Sequence, residues 1–216
     1  MTQMIAQNGQ EGLASPSLIR NTSFEIRLRW IDKVDGRALN TFAAFSVHLN
    51  GSLFWPTLAD SPEGLPVEWY ADHILSYLVR NWRRLSGERG YPVDITPAVP
   101  SEIWNAASER WENMASDRVL LEEDQLMAFD KAHNLANAFG GLFGLDCFWV
   151  VRAGDGFIID NGVEAALIDE AAVLGTLGLV GDIIAERLAK IGAGKWAPLI
   201  QRWHECQGAE IPALAG

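Results

Sequence analysis

The sequence predicts an α+β fold with an N-terminal antiparallel meander of three strands, a later β-hairpin and about five helices. Two patterns predict it. Apolar and polar residues alternate near the N-terminus, which is typical of half-buried strands, and farther along apolar residues recur every three or four positions, which is typical of helices. With 49% hydrophobic residues among 216, the chain can bury a sizeable core.

We predict a single α+β domain over residues 20–208, with mobile tails at 1–19 and 209–216. The first tail contains neither a basic residue nor a long apolar run, so it does not fit a secretory signal. The segment 87–100 holds three prolines and is a candidate boundary between two subdomains. No apolar run approaches the roughly 20 residues that cross a bilayer, so we expect no membrane span.

The meander is predicted from two alternating segments, 23–30 and 41–49, followed by Asn50-Gly51. An Asn-Gly pair is the strongest short-range hairpin signal, because a type I′ turn needs positive φ at both positions. Phe42 and Trp55 then lie on the second, partly apolar face of the meander. That face needs a covering helix or a partner, so both residues are candidate binding residues.

Pro66 is expected to open the first helix, since proline is tolerated in the first helical turn. Trp69, His73 and Tyr77 then follow at intervals of four on one face of that helix. Such a row can line a pocket, although packing at the edge of the core is the commoner role. Trp69 and His73 are therefore further candidate binding residues.

The central helix carries His133 in its apolar seam, after Leu126 and Phe129. Asp130 and Asn137 are spaced to hydrogen-bond an imidazole nitrogen. An Asp-supported histidine is the arrangement of a general base or a metal ligand, and it is equally that of a buried histidine whose polar atoms are satisfied. Asp130 and His133 are therefore candidates for catalysis, with neither role assigned.

A glycine pair at 140–141 is expected to end this helix, and the apolar runs 147–151 and 157–159 predict a buried hairpin. Arg152 stands at the mouth of the hairpin, where Asp155 or Asp160 could pair with it. Arg152 is therefore a candidate both for binding and for catalysis.

The last third of the chain is predicted to be helical, with a final helix after Gly192. Gly175, Gly178 and Gly181 lie three apart, but they fall within a helical pattern and lack the preceding strand of a phosphate-binding glycine loop. Close helix packing is the better explanation of these glycines.

The chain contains no His-Glu-x-x-His, no Gly-x-Ser-x-Gly, no phosphate-binding P-loop and no paired Cys-x-x-Cys motif. Its two cysteines have no metal-ligand spacing, so we expect reduced thiols in the cytoplasm. We expect no metal and no cofactor, and the missing signatures favour a protein that is not an enzyme.

The net charge of −11 belongs to the middle of the chain, because residues 94–170 contain fifteen acidic and four basic residues. Acidic surface repels phosphate backbones, so direct nucleic-acid binding is disfavoured. Arg80, Arg83, Arg84 and Arg89 form a local basic cluster, whose simplest explanation is the solvated end of a helix.

Several segments together resemble the non-catalytic N-terminal module associated with bacterial ImmA/IrrE-type metallopeptidase proteins. They are the proline-opened helix up to Trp82, the string ERGYP at 88–92, the helix of His133 with its glycine break, and the hairpin at 148–155. The His-Glu-x-x-His motif of that group is absent here, so the resemblance lends no zinc and no catalytic residue. It implies a bacterial regulatory or docking module, used in phage defence or in the regulation of mobile elements.

Three functions remain open. The first is a non-enzymatic protein that binds another protein, as a homo-oligomer or within a larger complex. The second is a hydrolase or nuclease that uses His133 and Asp130 together with His73 and Arg152. The third is an acidic mimic of nucleic acid that blocks a DNA-binding partner.

Overall fold

The computed structural model describes residues 23–31, 33–34, 37–38, 41–56, 66–140 and 147–208, and the predicted tails at 1–19 and 209–216 lie outside them. Within these ranges the chain has an α+β fold, as predicted. It contains a four-stranded sheet, a three-stranded sheet and one pair of very short strands, all antiparallel.

The first sheet is built around one central strand. In chain order, the strands of the N-terminal part are β1 (Phe24–Trp30), β2 (Lys33–Val34), β3 (Arg37–Ala38), β4 (Phe42–Leu49), β5 (Ser52–Trp55) and β6 (Val67–Tyr70). β4 pairs with β1 along nearly its whole length, with β6 over its first half and with β5 at its end, while β2 and β3 pair with each other. The predicted turn is confirmed, since Asn50 and Gly51 both have positive φ, at 50° and 81°.

The first helix, α1 (Ala71–Gly87), begins later than predicted. The residues after Pro66 form β6 and pair with the first half of β4. The backbone N–H of Ala71 also donates to the carbonyl of Thr41, at 2.7 Å. Val, Trp and Tyr fit a pleated surface, and β4 offers unpaired backbone groups here. Sheet pairing therefore overrides the local signal for a helix start.

The C-terminal part begins with two short helices and ends with a long one. Its elements are a 3₁₀ helix (Pro100–Glu102), α2 (Ile103–Trp111), α3 (Ser116–His133), a second 3₁₀ helix (Leu135–Phe139), β7 (Trp149–Ala153), β8 (Gly156–Asp160), β9 (Ala165–Asp169) and α4 (Glu170–Gly208). β7 and β8 confirm the predicted hairpin. β9, which was expected to be helical, extends the hairpin to a three-stranded meander.

β7 is buried on both faces and separates two cores. Val150 belongs to the larger core, which joins side chains of the first sheet, α1, β8, β9 and α4. Trp149 and Val151 point to the opposite face, because side chains alternate along a strand. There they pack in a smaller cluster with Ile103, Ala107, Leu126 and Phe129. The second sheet is therefore a middle layer, with α2 and α3 on its outer side.

α4 is folded back on itself at Gly192, where the backbone leaves helical geometry. Trp203 Nε1 donates to Asp182 Oδ1 at 2.8 Å, although the two residues are 21 positions apart. In a straight helix they would be roughly 30 Å apart. The two arms, 170–191 and 193–208, are therefore antiparallel, which confirms the predicted break and gives five α-helices in the described residues.

Close packing of the second arm of α4 against the first explains two of the three glycines of the first arm. A Cβ on Gly181 would lie 2.2 Å from the ring of Trp203, and one on Gly178 would lie 3.2 Å from Gln207. Gly175, in contrast, faces open space. The packing role predicted for the glycines is confirmed at Gly178 and Gly181.

The substitution Gly181→Ala should destabilise the protein by about 1–3 kcal/mol, because the new methyl group must displace the ring of Trp203. Gly175→Ala is the matched control, and it should be neutral or stabilise by up to about 1 kcal/mol, since alanine favours the helix and nothing obstructs it. Urea unfolding of both variants measures the difference. Equal stabilities of the two variants would contradict the folded-back packing of α4.

Candidate functional site

His133 lies at the C-terminal end of α3 and is fully buried, at 0% exposure. Its ring stacks on Phe129, with centroids 4.2 Å apart. Nδ1 lies 3.0 Å from the carbonyl oxygen of Val150, and Nε2 lies 3.0 Å from Oε2 of Glu88. Both partners are hydrogen-bond acceptors, so each ring nitrogen of His133 faces an oxygen of the protein itself. The predicted place of His133 in the apolar seam is confirmed.

The predicted imidazole partners, Asp130 and Asn137, are wrong. The Asp130 carboxylate accepts a hydrogen bond from Asn134 at 3.1 Å, and the Asn137 amide donates to the backbone carbonyl of Asp130 at 3.1 Å. α3 ends at His133, and Asn134 has a non-helical backbone, so Asn137 does not continue along the helix. Burial raises the pKa of the Asp130 carboxyl.

Glu88, the residue after α1, connects His133 to Arg84. Its carboxylate accepts from Arg84 Nε at 2.9 Å and from Arg84 Nη2 at 3.2 Å, in addition to His133. Burial alone would raise the pKa of Glu88, but the hydrogen bonds from His133 and Arg84 lower it to about 2. The carboxylate is therefore ionised, and both ring nitrogens of His133 are occupied by the protein itself.

Arg152 is buried, at 6% exposure, and pairs with Glu170 at the start of α4. Its guanidinium also lies over the ring of Phe157, 5.4 Å from the centroid. The predicted partners Asp155 and Asp160 are wrong. Asp155 is exposed in the turn, and Asp160 accepts backbone N–H groups instead. The pairing with Glu170 depends on β9, which brings the start of α4 alongside the hairpin.

The three catalytic candidates are therefore held by different partners. Asp130 is bonded to Asn134, His133 to Glu88 and Val150, and Arg152 to Glu170. His133 presents no open ring nitrogen to a substrate. The hydrogen bonds of His133 have a structural role, because they connect the end of α1, α3 and β7.

Phe42 and Trp55, predicted on one partly apolar face, have different environments. Phe42 is half-buried and packs edge-on against Tyr70, at 5.1 Å between centroids. Trp55 is buried at 1% exposure and stacks on Phe148, so its expected place on a partner surface is wrong. A bulge between Val47 and the next residue of β4 pairs Trp55 with Val47 and turns its ring into the core.

Trp69, His73 and Tyr77 do not form the predicted row, because Trp69 is in β6 and not in a helix. Its ring lies 5.9 Å from the ring of His73, which is exposed. Tyr77 is buried, and its hydroxyl donates to the carbonyl of Ala132 at 2.7 Å. Trp69 and His73 are thus neighbours at the surface, and Tyr77 belongs to the core.

The most exposed apolar surface on α3 was not predicted as a site. Leu120 and Leu121 are 62% and 60% exposed, and Met127 is 38% exposed. Residues three or four apart are neighbours on a helix, which places the exposed carboxylates of Asp117 and Asp124 beside both leucines. We call these five residues the α3 face. It combines apolar and acidic side chains on one rigid helix.

A signal for the α3 face was present in the sequence. Leu126, Phe129 and His133 define the buried register of α3, and Leu120 lies roughly 120° around the helix from Leu126. Apolar residues outside the buried register must be exposed unless another element covers them. Only the packing of α2 beside α3 shows that Leu120 and Leu121 stay uncovered by the described residues.

Among the described residues, no three His, Cys, Asp or Glu side chains are grouped so that they could hold a metal ion. None of the helices described is both long enough and apolar enough to cross a membrane. Comparison of the chain with protein-family models, with curated proteins and with solved structures finds no match. The exposed leucines and the neighbouring carboxylates make the α3 face a candidate site for binding.

The Glu88 network should make stability depend on pH in the acid range. Since the pKa of Glu88 is lowered from 4.5 to about 2, its contribution is complete above pH 4.5 and is lost as the pH falls towards 2. We expect Glu88→Gln to lower the free energy of unfolding by about 1–3 kcal/mol at neutral pH, and by much less near pH 2. Urea unfolding over a pH series measures this difference.

The control for this experiment is Glu186→Gln, which removes an exposed pair with Lys190 and should hardly change stability, because solvent screens the attraction between exposed charges. If Glu88→Gln lowered the free energy of unfolding by the same amount at pH 6 and near pH 2, this result would contradict the hydrogen bonds assigned to Glu88.

Proposed function

We propose that this chain is a non-enzymatic protein-binding module that docks a partner protein on the α3 face. The observation that carries the proposal is the pair of adjacent leucines exposed by 62% and 60% on a helix whose opposite side is anchored in a core. The partner is a protein whose own surface combines apolar side chains with lysine or arginine.

The exposed leucines of the α3 face provide apolar surface that a partner can bury. Burying one leucine side chain contributes about 1.5–3 kcal/mol before the costs of association are subtracted. Leu120 and Leu121, with Met127 about two helical turns beyond, can therefore form the centre of an interface. A helix held by a buried network loses little freedom on binding, which keeps the entropic cost low.

The acidic residues of α3 favour a partner with basic side chains. α3 carries five acidic residues and two basic ones, and Asp117 and Asp124 flank the leucines. A partner with basic side chains around an apolar centre would complement this surface. Two copies of the chain meeting through the α3 face would place like charges opposite each other, so a different protein is the better occupant.

The bacterial regulatory or defence setting forms part of the proposal and rests on the resemblance to the ImmA/IrrE-associated module. The alternative of a hydrolase or nuclease at His133 has less support, because Glu88 and Val150 occupy both ring nitrogens. The alternative of a nucleic-acid mimic uses the same acidic surface, but the exposed leucines would then contribute nothing to binding.

The double substitution Leu120→Ser/Leu121→Ser should weaken partner binding without unfolding the protein. Both side chains are exposed, so the melting temperature should hardly change. Loss of the two leucines at the centre of the interface should raise the dissociation constant by about tenfold or more. Tagged protein purified from its native host identifies retained proteins, and titration with the purified partner then measures the affinity.

Leu179→Ser is the matched control, since Leu179 is 59% exposed on a different helix, α4. A partner bound equally by the wild type, the α3 variant and the control would refute the proposal. Asp117→Asn/Asp124→Asn separates the two acidic hypotheses. If this variant loses the partner and the leucine variant keeps it, the chain acts as a charge mimic.

A further inference from the structure

A surface cleft of about 460 Å³ lies between α1, the second 3₁₀ helix and the second arm of α4. This volume is within the range of about 300–1,000 Å³ that is typical of small-molecule sites. The cleft is lined by His73, Ser76, Val79, Arg80, Asn137, Ala138, Gly140, Leu199 and Arg202. It is distinct from the α3 face, with which it shares no residue.

The charge of the cleft is opposite to that of the protein. The chain has a net charge of −11, but among the residues that the structure describes the charged side chains lining the cleft are Arg80 and Arg202, with no carboxylate beside them. Within the part of the chain that the structure describes, neither arginine takes part in an ion pair. Two unpaired guanidinium groups on facing helices leave a positive site that an anion would neutralise.

The geometry of Arg80 leaves its outer nitrogens available. Its Nε donates to the backbone carbonyl of Ser76, one turn earlier on α1, at 3.1 Å. This bond holds the side chain along the helix and leaves both terminal nitrogens, Nη1 and Nη2, to reach a ligand. The hydroxyl of Ser76 and the amide of Asn137 supply further hydrogen-bonding groups in the lining.

A further arginine of α1, Arg83, lies near the end of α4 that carries Arg202. Burial raises the pKa of the Cys206 thiol, and the Glu205 carboxylate raises it as well, while the nearby guanidinium groups of Arg83 and Arg202 act to lower it. Arg83 therefore lies close to the same end of α4 as Arg202. The basic cluster predicted on α1 is thus completed by an arginine from the far end of the chain.

One part of the lining is apolar. Val79, Ala138 and Leu199 contribute hydrocarbon to the cleft, so a ligand there would have both a charged and an uncharged part. Two N–H groups of one guanidinium can donate to two oxygens of one phosphate. Arginine is therefore a preferred residue for phosphate recognition.

We propose that this cleft binds a small organic phosphate, with Arg80 and Arg202 holding the phosphate and with Val79, Ala138 and Leu199 packing against its organic part. Ser76 and Asn137 orient the phosphate by hydrogen bonds. The site is a binding site and requires no chemical step.

Three probes test the proposal on the full chain by isothermal titration calorimetry: phenyl phosphate, inorganic phosphate and phenol. Phenyl phosphate should bind most tightly and with a stoichiometry of one, because it offers both the anion and an apolar ring. Inorganic phosphate should bind more weakly, and phenol should not bind measurably. Saturable binding of phenol alone, or of none of the three, would overturn the proposal.

The variants Arg80→Gln and Arg202→Gln should each weaken the binding of phenyl phosphate by about tenfold or more. Arg29→Gln is the control, since Arg29 is an exposed arginine of β1 outside the cleft and its loss changes the net charge equally. Equal weakening by all three would show non-specific attraction and refute the site. Leu120→Ser/Leu121→Ser should leave phosphate binding unchanged, so this inference and the proposed function fail separately.

Discussion

The hydrogen-bonded chain from Arg84 through Glu88 and His133 to Val150 is the constraint on which the rest of the structure depends. It joins the ends of α1 and α3 to β7, the strand that separates the two cores. The ion pair of Arg84 with Glu88 is only partly buried and is by itself weak evidence of net stability, because solvent screens much of the attraction. Removing one partner, however, leaves a buried polar group unsatisfied. The network therefore specifies how the helices sit on the sheet.

This network also explains where function can reside. Since the protein occupies both ring nitrogens of His133, the inner side of α3 has a structural role. The outer side of the same helix is free of that role and displays Leu120 and Leu121 beside two carboxylates. A rigid helix anchored on one side and exposed on the other is well suited to dock a partner. The arginine cleft lies elsewhere, between α1 and α4, and can be occupied independently.

The residues that sequence patterns placed correctly were those governed by local rules. The seam of α3 placed His133 inside, because helical periodicity depends only on neighbours along the chain. Its partner Glu88 is 45 residues away and could not be read from spacing. Trp55 was misplaced because a single bulge reverses the face of a strand. The start of α1 was misplaced because the residues before it pair with β4 and form a strand.

By itself, the sequence determined the α+β class, the Asn50-Gly51 turn, the register of α3 and the break at Gly192, since propensity, periodicity and turn chemistry act over a few residues. Only the tertiary structure decided that Glu88 meets His133, that Glu170 meets Arg152, and that Arg80 and Arg202 line one cleft. It also decided that Leu120 remains uncovered. These outcomes depend on how distant elements pack, and no local pattern encodes which surfaces of those elements will meet.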